Sequence, residues 1–485
     1  MNTANLSSLK QSSIKIFPFQ TKDQSFILFP DLQLWYLLTL LIDKIGFSLP
    51  QFSVEYVYPT DKSVDNILKN LGEYDEKYFI FNLENYFHSN DYALWFLEKV
   101  LQEMEQNHMD RYVIIHTIKT PKAEIKLLIE KHKNILLVVN GDFEDFFYKF
   151  FYKKNPISEI GNIYYRDDSD QIIINPDEWV KADLNDFILP AYASKHYTHF
   201  PKNKDYIIGL IDEDDDKTDD SISYRQSKKK FIEWFRFFPE TEIMLTTGRG
   251  CLYNCSYCYR GAKYSTVRQI SLATLKTDLD YLQDLQYEYV YFYDDCFVTT
   301  NMRRMDEIID LLGQYSFEYG IAARYEVCTP MNLIKLSKIN IKRIQVGLQS
   351  ISLEVNKDTK RWFKKEGFEV TIQKMKDLEI GLSLDIILWL PWEGLKWFLK
   401  TFLYAVSLNP VSIFINSLFL NPGTDLYDKQ KTYGIVTMNE GHQKDLFHVD
   451  GIKYSDNFSE NDIQLARKYV GLYQKKFPNI RIILR

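Results

Sequence analysis

Two runs of alternating strand and helix patterns, separated by a charged stretch, predict an α/β protein: an N-terminal doubly wound (Rossmann-like) domain followed by a partial (β/α)6 barrel. Three observations carry this expectation. From Ser13 to about Ala191, short β-branched or aromatic runs alternate with apolar positions at helical spacing. From Thr241 the alternation resumes through further strand–helix units. Between the two, Pro201 to Lys230 carries Asp212-Glu213-Asp214-Asp215-Asp216 and then Lys228-Lys229-Lys230, charge runs of the kind that form solvated linkers. The expected division is residues 1–191, a linker at 192–240, the barrel at 241–427 and an extension at 428–485.

In the first run the expected strands are Ile14–Phe17, Phe52–Tyr58, Tyr78–Asn82, Tyr112–His116, Ile135–Asn140 and Ile172–Asn175. Helical spacing marks Leu32–Lys44, Val64–Leu71, Tyr92–Gln106 and Ala123–Lys133 between them. Strands that alternate with helices build parallel sheets, because a parallel neighbour needs a long crossover. In the second run the expected strands are Glu242–Thr247, Tyr289–Tyr293, Glu318–Arg324, Arg343–Leu348, Leu382–Leu388 and Val411–Leu418. Helices are expected at Leu272–Leu285, Met302–Leu312, Asn332–Lys338, Phe368–Leu378 and Leu395–Ser407. The tail adds a helix at Glu460–Lys475 and a strand-like Ile480–Leu484, expected to pack on the barrel without chemistry of their own.

The chain has 485 residues, 45% hydrophobic and 15% aromatic, enough for two or three domains with their own cores. A net charge of -7 argues against a general nucleic-acid binder, which shows a basic face. The apolar run Leu34–Ile42 is too short to cross a bilayer, and Met1-Asn2-Thr3-Ala4-Asn5 has no signal-peptide character. The expectation is a cytoplasmic protein without a membrane partner. Aromatic stripes such as Trp234, Phe235, Phe237 and Phe238 read as packing, though a peptide groove would use the same residues.

Three of the five cysteines fall within eight residues, Cys251, Cys255 and Cys258, on a loop after the first strand of the second run. Three thiolates spaced CxxxCxxC can hold three corners of a cubane iron–sulfur cluster and leave one iron open. Zinc wants four protein ligands, commonly as CxxC pairs, and buried core thiols rarely cluster beside a glycine. The remaining Cys296 and Cys328 are too few for a second cluster and give no disulfide framework.

The triplet, with Tyr257 before its last cysteine, resembles the signature of radical S-adenosylmethionine (SAM) enzymes. Four further stretches resemble the class in which a cobalamin-binding-type domain precedes the barrel. They are Tyr291-Phe292-Tyr293-Asp294-Asp295, Gly347-Leu348-Gln349-Ser350, Leu390-Pro391-Trp392-Glu393, and Asn421-Pro422-Gly423-Thr424 before Leu426-Tyr427. Together they cover about Glu242 to Tyr427. More loosely, Leu32 to Gly46 resembles that class's first helix, Asn140-Gly141-Asp142-Phe143-Glu144 its glycine–acid turn, and Asp183 to Pro190 its exit segment. The D-x-H-x-x-G motif, whose histidine ligates cobalt, is absent; Ser63 stands where Asp61 would place it. Some relatives bind cobalamin without that histidine, so a corrinoid-binding domain and a remnant are both compatible.

The resemblance implies a [4Fe-4S] cluster, SAM chelated at its open iron, and a one-electron reductase such as flavodoxin or ferredoxin. It implies a 5′-deoxyadenosyl radical that attacks a C–H bond of a peptide or small-molecule substrate. Tyr293, Asp294 and Asp295 match the positions that contact the SAM amino group, although Asp294 and Asp295 equally suit a helix N-terminus. Gln349 and Ser350 match the contact to the ribose or the methionine carboxylate, and Leu390 lies in the segment that packs on adenine, where Trp389 replaces a small residue. Arg324 and Glu326 bring a charge pair to the same rim. Cys296 and Cys328 follow barrel strands and could give a hydrogen atom to a substrate radical, as in peptide epimerases; each alone also reads as a small buried hydrophobe. Three functions are therefore weighed: peptide or natural-product modification, including epimerisation; cobalamin-dependent C-methylation; and a non-catalytic iron–sulfur scaffold.

Overall fold

The computed structural model describes residues 14–18, 52–54, 61–82, 90–117, 122–141, 143–167, 169–176, 242–258, 267–284, 287–297, 302–361, 363–421, 423–437 and 450–484. The expected helix Leu32–Lys44, the exit segment Asp183–Pro190 and the linker 192–240 lie outside these residues. Two compact units emerge, residues 1–243 with 445–448 and residues 244–444 with 449–485.

The first unit is a seven-stranded sheet. Its strands are β1 (Ile14–Pro18), β2 (Phe52–Val54), β3 (Tyr78–Asn82), β4 (Tyr112–Thr117), β5 (Ile135–Asn140), β6 (Ile163–Arg166) and β7 (Ile172–Ile174). They lie in the order β2-β1-β3-β4-β5-β6-β7, and the first five are parallel. The order 2-1-3-4-5 is that of flavodoxin-like doubly wound sheets. Helices α1 (Asp61–Asn70), α2 (Asn90–Gln106) and α3 (Lys122–Lys131) connect these strands. Strands β4 and β5 read as unbroken apolar runs because both of their faces are buried almost throughout. Val100, Leu101 and Met104 of α2 and Ile125, Leu128 and Ile129 of α3 close on Phe79, Phe81, Val113 and Ile115.

The sheet departs from the expected all-parallel pattern at its edge. β6, which the sequence reading missed, pairs antiparallel with β5, and β7 pairs antiparallel with β6. The turn at 167–171 explains the hairpin. Asp167 Oδ1 accepts from the backbone N–H groups of Ser169 (2.8 Å) and Gln171 (2.9 Å), an Asx turn that reverses the chain without a crossover. Before it, α4 (Phe143–Phe147) continues into one π-helical turn, Tyr148–Tyr152. Phe143, Phe146, Phe147, Phe150 and Phe151 pack ring on ring there.

The second unit is also seven-stranded: β8 (Glu242–Leu245), β9 (Tyr289–Phe292), β10 (Glu318–Ala323), β11 (Ile341–Gln349), β12 (Gly381–Leu388), β13 (Ser412–Ser417) and β14 (Arg481–Leu484). They lie in sequence order across the sheet, parallel in every pair from β9 to β14. The six expected barrel strands are present, and the tail strand joins them as a seventh, beside β13. Helices α5 (Leu272–Asp284), α6 (Met302–Leu312), α7 (Pro330–Leu336), α8 (Leu353–Asp358), α9 (Lys365–Asp377) and α10 (Leu395–Ser407) connect β8 to β13, followed by α11 (Asp425–Asp428) and α12 (Glu460–Lys476). Start signals are local: Thr329 caps α7 with Pro330 at its first position, and Ser352 caps α8, which was not expected. Ser459 and Asp462 form a capping box on α12.

Burial alternates along β11: Ile344, Val346 and Leu348 are buried, while Arg343, Gln345, Gly347 and Gln349 are half-exposed. The half-exposed face is polar and hydrogen-bonded across strands. Tyr291 Oη donates to Gln345 Oε1 (2.9 Å), and Gln345 Nε2 donates to Asp385 Oδ2 (2.8 Å). A closed eight-stranded barrel fills this face with branched apolar side chains; here it is left for polar contacts. No helix of the described residues is long and apolar enough to cross a membrane.

Candidate active site

The cysteine loop begins where β8 ends, and it is held from several sides. Gly248–Arg249 pairs antiparallel with Arg268–Gln269 beyond the loop. Any side chain at position 248 would meet the Arg268 carbonyl at 2.7 Å, so glycine is required. Asp295, after β9, accepts from the N–H of Gly250 (2.8 Å). The Ser256 N–H donates to the Thr359 carbonyl (3.0 Å) after α8, and the Ser256 carbonyl accepts from the Leu426 N–H (2.9 Å) of α11. A tight turn joins Cys255 to Cys258, whose N–H donates to the Cys255 carbonyl (3.0 Å). Cys251 and Cys258 are half-buried and Cys255 is buried, all three as free thiols.

Arg324, at the end of β10, reaches this loop. Its Nη1 donates to Cys255 Sγ at 3.4 Å, its Nη2 pairs with Glu326 Oε1 at 2.5 Å, and its guanidinium lies 3.8 Å from the Tyr253 ring centroid. Arg361 was not singled out from the sequence, yet its charge acts on Cys255 and Tyr257, and it donates to the Gly347 carbonyl. Sequence offered one signal for it. Gly347 interrupts an otherwise β-favouring strand, and a Cβ there would stand 2.9 Å from Arg361 Nη2.

Several expected site residues turn out to be committed to the scaffold. Asp294 is buried, and its Oδ1 accepts from Thr246 Oγ1 (2.7 Å) and the Thr247 N–H (2.7 Å), while Oδ2 accepts from Thr247 Oγ1. Burial raises its pKa to about 6 against those lowering bonds. Asp294 therefore anchors the turn after β8. Ser350 is fully buried as well: its hydroxyl donates to Glu393 Oε1 (2.7 Å) and accepts from the Ser352 N–H (3.1 Å). Glu393, unremarked at the residue level in sequence, has its pKa raised to about 8 by burial. Leu390 is buried.

Other expected residues keep open valences at the strand ends. Among the described side chains, Ser256 Oγ, Arg324 Nε, Glu326 Oε2, Gln349 Oε1 and Trp389 Nε1 are buried without a hydrogen-bond partner. Buried polar groups are normally satisfied, and donors and acceptors of these kinds suit the ammonium, carboxylate and hydroxyl groups of SAM. Gln349 and Trp389 hold left-handed backbone angles, φ 61° and 73°, an uncommon conformation for such residues that recurs at functional sites. Tyr293 and Tyr257 are half-buried beside the loop, and the Tyr293 N–H donates to the Leu245 carbonyl (2.8 Å).

Cys296 is half-buried after β9, and burial pushes its pKa up to about 11; Cys328 ends the short 3-10 turn after β10 and burial pushes it well above the usual thiol range. Both keep the S–H form at neutral pH. Cys328 is 0% exposed, whereas Cys296 is half-buried.

The thiol set fits an iron–sulfur cluster. The two guanidiniums at Cys255 suit an anionic cluster. In the first unit, His116 Nε2 donates to the Gly141 carbonyl (2.7 Å) and the ring stacks on Phe143 at 4.7 Å, while His132 sits between Glu98 and Glu105. Both rings are buried among these partners.

Residues 245–405 match the Radical SAM superfamily. The chain is 23% identical over 221 residues to the heme chaperone HemW of Buchnera aphidicola subsp. Schizaphis graminum, a match over 42% of this chain and 56% of that relative, little more than half its length. The fold is similar to the cobalamin-dependent SAM radical enzyme OxsB, with a TM-score of 0.62 at 15% identity over 97% of this chain and 68% of that one. It is also similar to the radical SAM methyltransferase TsrM from Kitasatospora setae, with a TM-score of 0.59 at 14% identity over 89% and 78% of the two chains. With the cysteine loop on the first strand of a partial barrel, residues 245–405 carry a radical SAM domain, in a chain whose fold is similar to those of OxsB and TsrM.

Proposed function

We propose that this protein cleaves SAM reductively and uses the resulting radical to modify a peptide or other natural product at an unreactive C–H bond. The observation that carries the reading is the tethered loop of Cys251, Cys255 and Cys258 at the mouth of a barrel whose strand ends leave unsatisfied polar atoms. When bound, the cluster supplies one low-potential electron and an open iron that chelates SAM. The chain's own residues hold and orient the reactants. Glu326 Oε2 offers a carboxylate oxygen to an ammonium, and Gln349 Oε1 offers an acceptor to a ribose hydroxyl. Trp389, buried at the end of β12, packs the wall next to Leu390 and excludes water from the radical. Cys296, protonated at neutral pH, has the S–H that a hydrogen-atom donor requires. Epimerisation would use that thiol to return a hydrogen to a substrate carbon.

The test is anaerobic reconstitution with iron and sulfide, then addition of dithionite and SAM. The expected product is 5′-deoxyadenosine, lost in Cys251→Ala, Cys255→Ala and Cys258→Ala; its absence from the fully loaded parent protein would overturn the reading. A candidate substrate in deuterated buffer separates the reactions by mass, with a gain of about 1 for epimerisation and about 14 for methylation, from the mass of the atoms exchanged or added. The second reading, cobalamin-dependent methylation, draws support from the fold shared with OxsB and TsrM. Near-stoichiometric corrinoid absorption after incubation with hydroxocobalamin would favour it.

A further inference from the structure

We infer that Arg324 and Arg361 set the reduction potential of the cluster through Cys255, an inference that rests on the reading that the three cysteines hold a [4Fe-4S] cluster. Both residues are 7% exposed; Arg324 donates a hydrogen bond to the Cys255 sulfur, and the charge of Arg361 acts on the same thiol. Arg324 arrives from the end of β10, fixed by Glu326 and by the face of Tyr253. Arg361 arrives from the segment after α8, fixed by the Gly347 carbonyl. Burying two guanidiniums is costly unless opposite charge accompanies them. Glu326, at the same site, offsets one of the two. A cluster thiolate provides the rest.

The physical consequence concerns reduction more than binding. Uptake of one electron from a low-potential donor adds a negative charge beside two fixed positive charges. Hydrogen bonds to a cluster sulfur and nearby positive charge favour the reduced form and raise the potential. Arg324 and Arg361 are thus positioning and tuning residues that make a low-potential centre reducible by an ordinary donor. Gly347 belongs to the device, because a methyl group there would press on Arg361 Nη2 and on Gln349.

The experiment is a redox titration of reconstituted protein, followed by electron paramagnetic resonance without SAM, so that any role of these residues in holding SAM does not enter. Arg324→Met and Arg361→Met are each expected to lower the reduced-to-oxidised ratio at fixed poise about tenfold, which is about 59 mV for one electron. Arg324→Lys and Arg361→Lys, which keep the charge, should recover part of the shift. Gly347→Ala should move the potential in the same direction as Arg361→Met while leaving both arginines in the chain. A merely structural role would not reverse with lysine. Met and Ala variants that load four irons per chain with the parent's potential would overturn the inference and leave the proposed reaction standing. A parent protein that loads no four-iron cluster would overturn both. The Lys and Gly347→Ala variants hold the test should a Met variant fail to load.

Discussion

Glu393 shows what a buried acid does when a hydroxyl is its hydrogen-bond partner. Ser350 donates to Oε1, Oε2 has no partner, and the group is enclosed at the end of β12. Its folded pKa of about 8 lies above the ordinary value of 4.5, so the folded state binds the proton more tightly than the unfolded one. Stability from this group is full below about pH 4.5 and is lost as pH rises through about 8. Asp294 acts in the same sense over a lower window, from 3.8 to about 6. Glu393→Gln, neutral at every pH, should flatten the fall in Tm between pH 5 and 8, and thermal melts across that range check it; equal slopes in parent and variant would refute the assignment. Glu393→Ala leaves Ser350 without its acceptor and should cost about 1–3 kcal/mol in urea unfolding. At the radical centre, Cys296→Ala should abolish product while SAM cleavage continues, and Cys328→Ala should leave product formation intact, as read by chromatography of both products. The cysteine triplet was legible because its spacing is chemistry written in sequence. Arg361 was not, because its partners, Gly347 and Cys255, meet it only through folding, and the bonds of Asp294 were not, because a strand-end carboxylate looks the same whether it faces a ligand or two threonines.

Among the elements, β14 is the one whose role sequence reading understated. Hydrophobic alternation marked Ile480–Leu484 as strand-like, but its partner is set by topology. It runs parallel to β13, and Gln474 of α12 pins its outer side, donating to the Ile480 carbonyl (3.0 Å) and accepting from the Ile482 N–H (2.7 Å). The Arg481 N–H points the other way, to the Val411 carbonyl (3.1 Å). Period-two alternation then turns the Ile483 N–H toward β13 as well. Ile483→Pro should therefore lose a ladder bond and cost about 3 kcal/mol, while Ile482→Pro forfeits only the Gln474 contact and costs less; paired denaturation curves decide between them. The β6–β7 hairpin escaped for the converse reason. Its antiparallel pairing depends on the side chain of Asp167 closing a turn, and an acidic residue in a polar loop gives no period to read. Elements with long apolar periods, such as β3, β5, α6 and α10, match their expected bounds because burial on one face or both dictates them.

At the scale of the whole molecule, the chain carries two cores built on separate seven-stranded sheets, one in each compact unit. Separate cores answer separately to damage. Leu137, 0% exposed in β5, is expected to cost about 2–5 kcal/mol on replacement by Ala, with iron content per chain unchanged after reconstitution; loss of iron in step with the lost stability would show that the two cores are not independent. Sheet topology has a further consequence during synthesis. Strand β13 emerges from the ribosome well before Arg481–Leu484, and in that interval its edge presents unpaired backbone groups to any neighbouring nascent chain.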